Sequence, residues 1–199
     1  MSNHHYYSKT PEAKHDRQVV EITLRGYPLK FTTDAGVFSK SGVDYGSKVL
    51  VECLDLGIAD EILDVGCGYG PIGLTAAKLA SEGHVTMIDI NERAVELARE
   101  NAAMNKIENA TIVESDLFES VKGRSFDVIV TNPPIRAGKT VVHRIYEEGV
   151  GLLKNGGSMW VVIQKKQGAP STLQKLEALF SQVIEVTKDK GYRIFRAIK

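Results

Sequence analysis

The feature that most constrains the fold is an alternation of short apolar segments and helical segments that begins at residue 61. Residues 61–65 have the pattern of a buried strand, and a glycine-rich turn leads from them into a helix predicted over residues 72–80. The succession continues with strands predicted at 84–90, 110–114, 126–131 and 158–163, and helices at 91–104, 140–153 and 171–180. Such alternation predicts an α/β fold with a doubly wound, mostly parallel sheet.

Both ends of the chain depart from this alternation. Residues 183–187 and 192–198 have strand character and are joined by a turn too short for anything but antiparallel pairing. Near the start, residues 19–33 predict a short β-hairpin, and residues 44–56 a helix. The polar residues 1–18 are expected to be a mobile segment, so residues 19–199 form one domain that includes the hairpin.

Composition excludes several classes of protein. The 199 residues are 43% hydrophobic and 25% charged, as in ordinary globular domains. Two cysteines cannot build a disulfide framework, and no Cys/His cluster has zinc spacing, so no metal is expected and a reducing, cytoplasmic location fits best. No apolar run approaches the roughly 20 residues of a membrane helix, and the polar start does not resemble a signal peptide. We therefore expect neither secretion nor a membrane partner.

The net charge of the whole chain conceals an uneven distribution of charge along the sequence. The 25 basic and 25 acidic side chains cancel, which argues against a nucleic-acid partner. Resolved along the chain, however, residues 60–119 have a net charge of −8 and residues 120–199 a net charge of +8. Asymmetry of this kind indicates a basic working surface on the C-terminal half.

The turn after the first strand of the alternating region has a nucleotide-binding pattern. It contains Asp64, Gly66, Cys67, Gly68 and Gly70, and its glycines allow the backbone to approach a ligand closely. With Gly73, the second and third of these glycines also satisfy the dinucleotide fingerprint. The motif alone therefore indicates an adenosine-type ligand without saying which one.

Acidic residues lie at the ends of the next two strands. Asp89 is placed to accept the two hydroxyls of a ribose, and Asp116 to accept from an adenine amino group, with Ile90 or Leu117 packed on the ring. Because the carboxyl ends of parallel strands share one edge of a sheet, we expect all these residues to line one site.

The strand at 126–131 ends in Asn132, Pro133, Pro134 and Ile135. Two prolines give a rigid, extended exit without free N–H groups, so the local carbonyls and the asparagine amide become fixed hydrogen-bond acceptors. Two such acceptors suit a planar amino group, as on adenine, guanine or glutamine, and would direct its lone pair towards an electrophile. We therefore expect this tetrapeptide to be catalytic.

Taken in this order, the glycine turn, Asp89, Asp116 and the Asn-Pro-Pro-Ile sequence resemble a class I S-adenosylmethionine-dependent methyltransferase. The segments 37–39, 44–47 and 132–139 further resemble the group that methylates guanine N2 in small-subunit ribosomal RNA. The resemblance covers roughly residues 19–199. It implies a Rossmann-like sheet of seven strands with the last strand antiparallel, and S-adenosyl-L-methionine as cofactor. It also implies that Phe38, Ser39, Gly46 and Ser47 lie beside the methionine part of that cofactor, with Asn132 also touching it.

Two departures from the family pattern affect substrate recognition. The fourth position of the catalytic motif is often aromatic and stacks on the target base, whereas here it is Ile135. Phe38, Phe118 or the guanidinium plane of Arg136 could supply the missing stacking surface. Some members of the group also carry an additional N-terminal half, where this chain has only the hairpin. Recognition would then use the hairpin, the catalytic face or a second copy in a homodimer.

A structured RNA substrate would need phosphate contacts near the site. The expected RNA-binding residues are Arg136, Lys139, Arg144, Lys165 and Lys166, with Lys175 nearby in sequence. The favoured function is methylation of guanine N2 in ribosomal RNA or the small ribosomal subunit during rRNA processing. Open alternatives are protein glutamine N5-methylation, DNA adenine methylation, a nicotinamide-dependent oxidoreductase and a non-catalytic RNA-binding assembly module.

Overall fold

The computed structural model describes residue 9 and residues 13–199. A seven-stranded sheet forms its centre, and a separate two-stranded hairpin packs against one helical layer. The strands are β1 Gln18–Leu24, β2 Tyr27–Thr33, β3 Glu61–Val65, β4 His84–Asp89, β5 Ala110–Glu114, β6 Phe126–Thr131, β7 Leu153–Gln164, β8 Gln182–Asp189 and β9 Tyr192–Ile198. The α-helices are α1 Tyr45–Cys53, α2 Pro71–Leu79, α3 Glu92–Met104, α4 Lys139–Leu152 and α5 Ala169–Leu179.

The strand order of the large sheet is β5-β4-β3-β6-β7-β9-β8. The first five strands in this order are parallel, whereas β9 is antiparallel to both of its neighbours. The predicted doubly wound sheet with an antiparallel last strand is therefore confirmed. The order reverses at β3, which pairs with both β4 and β6, and such a switch point opens a crevice at the carboxyl ends of the strands.

Alternating strand residues pack into two hydrophobic cores, one on each face of the sheet. In β3, for example, Ile62 belongs to the core under α1, α2, α3 and the hairpin, whereas Leu63 and Val65 belong to the core under α4 and α5. All three are 3% exposed or less, as a strand covered on both faces requires.

The N-terminal hairpin closes through a two-residue turn in which Arg25 and Gly26 have φ angles of 49° and 82°. Positive φ at both positions matches the right-handed twist of a hairpin. The Arg25 guanidinium donates to the carbonyls of Val51 and Leu54, at 3.1 and 2.7 Å. These bonds take up carbonyl groups at the end of α1, which ends at Cys53 although the sequence pattern predicts it to residue 56.

One further boundary differs from the prediction. The strand expected at 158–163 begins at Leu153, where it pairs with Phe126, and a register shift follows between Phe126 and Val128. Gly157 fits there because a Cβ would approach the Asp127 carbonyl oxygen to 2.8 Å. The predicted mobile segment, residues 1–18, lies mostly outside the described residues. Among the described residues, no helix is long and apolar enough to span a membrane.

Candidate active site

A cavity of about 740 Å³ opens at the carboxyl ends of β3, β4, β5 and β6. Its volume lies in the range of small-molecule binding sites. The predicted site residues that line it are Phe38, Ser39, Ser47, Gly66, Cys67, Gly68, Asp89, Ile90, Asp116, Leu117, Asn132, Pro133, Pro134, Ile135, Arg136 and Arg144. The shared sheet edge therefore does bring the predicted nucleotide loop and the predicted catalytic turn into one cavity.

The glycine loop between β3 and α2 is shaped by three positive φ angles, 73° at Gly66, 56° at Gly68 and 107° at Gly70. The loop is anchored to β4 because the amides of Gly66 and Cys67 both donate to the Ile88 carbonyl. A Cβ added at Gly66 or Gly68 would meet no atom of the chain within 4 Å, so the ligand side of the loop is open. This arrangement can hold a ligand against bare backbone.

Asp89 ends β4 and is organised as a hydrogen-bond acceptor. Its Oδ2 accepts from the Gly68 amide at 2.8 Å, and its Oδ1 from the Asn91 amide at 2.9 Å. Each carboxylate oxygen retains capacity for a second hydrogen bond, which suits the paired hydroxyls of a ribose. Burial raises the pKa of this carboxyl, while amide donors that include those of Asn91 and Gly68 oppose the shift.

Asp64 lies below the loop and does not line the cavity. It is completely buried, and its Oδ2 accepts from the Gly73 amide at 2.8 Å. Its Oδ1 has no hydrogen-bond partner among the described residues. Burial raises the pKa of Asp64 to about 7, against the Gly73 hydrogen bond and with a smaller contribution from the charge of Asp89.

Other predicted cofactor residues have different positions. Gly70 begins α2, where a Cβ would come within 2.9 Å of Leu74, and it does not line the cavity. Gly46 packs beneath Tyr192, whose ring would lie 2.6 Å from an added Cβ. Cys67 reaches the cavity wall but is 5% exposed, and burial raises its thiol pKa well above the ordinary value.

The side chain of Asn132 is fixed by hydrogen bonds to two residues at the start of α1. Its Nδ2 donates to Ser47 Oγ at 3.1 Å and to Asp44 Oδ1 at 3.3 Å. Both protons of the amide are thereby engaged, so Oδ1 is the atom available to a ligand. Among the described residues, neither Asn132 Oδ1 nor the Pro133 carbonyl accepts a hydrogen bond. The site thus presents two open acceptors at the cavity wall.

The turn after Pro133 is rigid. The carbonyls of Pro134 and Ile135 accept from the Ala137 and Gly138 amides, at 2.9 and 3.1 Å, in a short 3₁₀ helix over Ile135–Ala137. Thr131 Oγ1 also donates to the Val65 carbonyl, which fixes the end of β6 against the end of β3. The acceptors of the predicted catalytic turn therefore lie between two hydrogen-bonded elements, β6 and the 3₁₀ helix.

Sequence reasoning missed several cavity residues. Asp44 belongs to the segment 44–47 that resembles the family, but that resemblance assigns it no role; as the N-cap of α1 it is a fixed carboxylate beside the site. Tyr192 and Gln167 also line the cavity, but both come from distant parts of the chain and show no local pattern. Of the aromatic candidates for base stacking, Phe38 lines the cavity and is 40% exposed. Phe118 does not line it, because its side chain is 3% exposed in the core beneath α4.

The predicted RNA-binding residues lie around the catalytic side of the cavity. Arg136 and Arg144 line it, and Arg144 forms an ion pair with Glu148 at 2.8 Å. Lys139, Lys165 and Lys166 are exposed but lie outside the lining. Lys139 begins α4, and the other two directly precede Gln167 at the cavity. Lys175 is instead paired with Glu147.

A family model for the methyltransferase small domain matches residues 28–196. The uncharacterized protein YbxB of Bacillus subtilis is 52% identical over 98% of both chains. Ribosomal RNA small subunit methyltransferase C of Escherichia coli is 31% identical over 93% of this chain and 54% of its own length. The T. thermophilus 16S rRNA N2 G1207 methyltransferase, solved in complex with AdoMet and guanosine, aligns over 92% of this chain and 50% of its own, with 26% identity and a TM-score of 0.81. The chain thus spans about half the length of these two rRNA methyltransferases.

Proposed function

Because this chain belongs to the methyltransferase small domain family, we propose that it transfers a methyl group from S-adenosylmethionine to an exocyclic amino nitrogen, namely guanine N2 of small-subunit ribosomal RNA. The observation that most directly supports this chemistry is the pair of open acceptors, Asn132 Oδ1 and the Pro133 carbonyl, at the wall of the cavity. The choice of ribosomal RNA is supported by the two relatives that are rRNA methyltransferases.

The chain's own residues fit the proposed cofactor. The open side of the glycine loop accommodates the methionine part, and the two Asp89 oxygens accept the ribose hydroxyls. Asp116 lies exposed on the cavity wall, where it can accept from the adenine amino group, with Ile90 and Leu117 available to pack on the ring. When bound, S-adenosylmethionine supplies a methyl group activated by the positive charge of its sulfonium and is left as the neutral thioether.

On the substrate side, Asn132 and Pro133 orient the amine. Two accepted hydrogen bonds fix the N–H bonds in the plane of the acceptors and turn the nitrogen lone pair towards the methyl group. Partial negative charge on both oxygens stabilises the positive charge that develops on the nitrogen. Once the new N–C bond has formed, the amine's proton passes to water. No strong base is needed, which agrees with an asparagine at this position.

The target base would lie against the catalytic turn and an aromatic wall. Ile135 offers an apolar surface, and Phe38 and Tyr192 are two aromatic residues that line the same cavity. An extruded base gains from such stacking, because it has lost its neighbours in the RNA. Lys139, Lys165 and Lys166, called here the basic rim, would contact the adjoining phosphates.

The test is transfer of a labelled methyl group to four substrates in parallel: naked ribosomal RNA, assembled small subunits, DNA and a release-factor-like protein. We expect label on guanine N2 of ribosomal RNA, and its loss when Asp89→Ala weakens S-adenosylmethionine binding. Label on protein glutamine would instead support the alternative acceptor, since the same pair of oxygens holds an amide. Binding of RNA without transfer to any substrate would contradict an enzymatic role.

A further inference from the structure

Two asparagines, Asn101 in the last turn of α3 and Asn105 at its C-cap, bind the N-terminal hairpin along the free edge of β2. Asn101 accepts from the Thr32 amide at 2.7 Å and donates to the Thr32 carbonyl at 3.0 Å. Asn105 does the same with Lys30, at 2.9 and 2.7 Å. Four residues of helix rise about 6 Å and two residues of strand about 6.6 Å, so the two spacings match. Each side-chain amide therefore makes the pair of hydrogen bonds with β2 that a residue of a neighbouring strand would make.

Asn101 makes one contact that Asn105 does not. Its Nδ2 also donates to the carbonyl of Tyr69 at 2.8 Å. Tyr69 lies between Gly68 and Gly70 in the predicted cofactor loop, and Asn101 is completely buried. A single side chain thus connects the hairpin to the loop with both of its amide protons in use.

The side chain of Tyr69 reinforces the same connection. Its ring packs edge-on against Phe31, with the ring centroids 5.8 Å apart, and Phe31 lies between the two β2 residues that the asparagines hold. Both aromatic rings are 2% exposed or less. Tyr69 therefore contacts the hairpin through its side chain and belongs to the loop through its backbone.

The loop needs such a restraint. Its three positive-φ glycines make many backbone conformations accessible, and a loop that must be ordered by its ligand binds more weakly than one already ordered. The first half of the loop is fixed to β4 by the Ile88 carbonyl and by Asp89. The Tyr69 carbonyl, in the second half, is fixed by Asn101.

We propose that Asn101 is a positioning residue for the cofactor loop and that, through Tyr69, it couples docking of the hairpin to binding of the cofactor. The inference rests on the proposed function only in taking the loop's ligand to be S-adenosylmethionine. By linkage, cofactor binding in turn stabilises the hairpin against local opening.

The test compares Asn101→Leu with its matched control Asn105→Leu. Both variants lose two hydrogen bonds to β2, but only the first loses the bond to the loop. We expect Kd for S-adenosylhomocysteine, measured by calorimetry, to rise about tenfold or more in Asn101→Leu and less than about threefold in Asn105→Leu. In steady state, KM for S-adenosylmethionine should rise in Asn101→Leu, with kcat changed less than about twofold. Equal increases in both variants, or none in either, would overturn the coupling.

Hydrogen exchange on the unmodified chain provides a second test that requires no variant to fold. Saturating S-adenosylhomocysteine should slow exchange of the Thr32 amide, while the amide of Val183 in β8 serves as a distant reference. If the chain binds the ligand but exchange of the Thr32 amide does not change, the coupling is overturned and the proposed function is not. Failure of the unmodified chain to bind S-adenosylhomocysteine would overturn the proposed function and the inference together.

Discussion

At the scale of single residues, Asn132 owes its proposed role to what holds it. A surface asparagine can rotate its amide freely, whereas here Ser47 and Asp44 accept from Nδ2 and leave Oδ1 to the cavity. A carboxylate in the same place could accept from the substrate but could not donate to these two partners, and it would face the charge of Asp44. An amide can therefore donate to Ser47 and Asp44 and accept from the substrate at the same time.

Asn132→Ala should lower kcat by at least about 100-fold, because it removes one of two oriented acceptors. Kd for S-adenosylmethionine should stay within about threefold, since the ribose and loop contacts come from other residues. Calorimetry and single-turnover methyl transfer measure the two quantities separately. Asn155→Ala, at the exposed start of β7, is the control. Near-normal transfer by Asn132→Ala would refute the proposed mechanism.

The stability of the folded chain is expected to depend on pH through Asp64. Burial raises its pKa to about 7, whereas a solvated aspartate titrates near 4. Between these values the folded chain binds more protons than the unfolded chain, so the free energy of unfolding falls as pH rises from about 4 to about 7 and levels off above. At about 1.4 kcal/mol per pKa unit, the effect amounts to a few kcal/mol.

Asp64→Asn should therefore gain stability relative to the unmodified chain as pH rises through this window. Urea unfolding at intervals from pH 4.5 to 8 measures the difference, with Glu96→Gln on the exposed face of α3 as the control. Parallel stability curves for the unmodified chain and Asp64→Asn would show that Asp64 ionises in the folded state as it does in water.

At the scale of elements, hydrophobic periodicity predicted most of the sheet, because strands buried on both faces stand out against helices that carry one apolar stripe. The element boundaries that differ from the prediction are set by contacts between residues far apart in the sequence. Helix α1 ends at Cys53 because Arg25 of the hairpin turn takes up nearby carbonyls, and β7 begins early because Leu153 pairs with Phe126. No local pattern encodes either contact.

The residues of the candidate site likewise divide into those that the sequence predicts and those that it does not. Residues at strand ends, such as Asp89 and Asn132, could be predicted because parallel strands end at one edge. Tyr192 could not, since it reaches the cavity from β9 at the far end of the chain, where it also packs on Gly46. The contact between Asp44 and Asn132 spans 88 residues and required the structure.

The N-terminus of helix α1 connects stability to the proposed catalytic role of Asn132. Asp44 Oδ1 accepts from the Ser47 amide as the helix cap and also from Asn132. Asp44→Ala should therefore cost about 1 kcal/mol of stability and lower kcat. Asp44→Ser keeps a capping oxygen but is too short to reach Asn132, so it should fold normally and still lose about tenfold in kcat. Asp44→Asn, which keeps an oxygen for both donors, is the control. Full activity of the serine variant would show that Asn132 does not depend on the Asp44 carboxylate.

At the scale of the whole molecule, the balanced charge conceals two different surfaces. The acidic segment 60–119 supplies the proposed cofactor side of the cavity, and the basic segment 120–199 supplies the proposed catalytic turn, α4 and the basic rim. Burial lowers the pKa of His143 on α4, and the nearby charges of Lys139 and Lys175 lower it further, against the charge of Glu147. A chain with no excess charge gains little long-range attraction to RNA, so affinity must come from local phosphate contacts.

A double substitution can separate local contacts from overall charge. Lys139→Gln with Lys165→Gln removes two charges from the basic rim, and Lys30→Gln with Lys106→Gln removes two from a small cavity near the C-terminal end of α3. Net charge changes equally in both. If the rim contacts phosphates, the slope of log K against log salt for RNA binding should become shallower by about 1.5 in the first variant only, since each phosphate contact releases condensed counterions. Equal slopes in the two variants would mean that RNA responds only to the net charge of the molecule, and the basic rim would then have no place in substrate recognition.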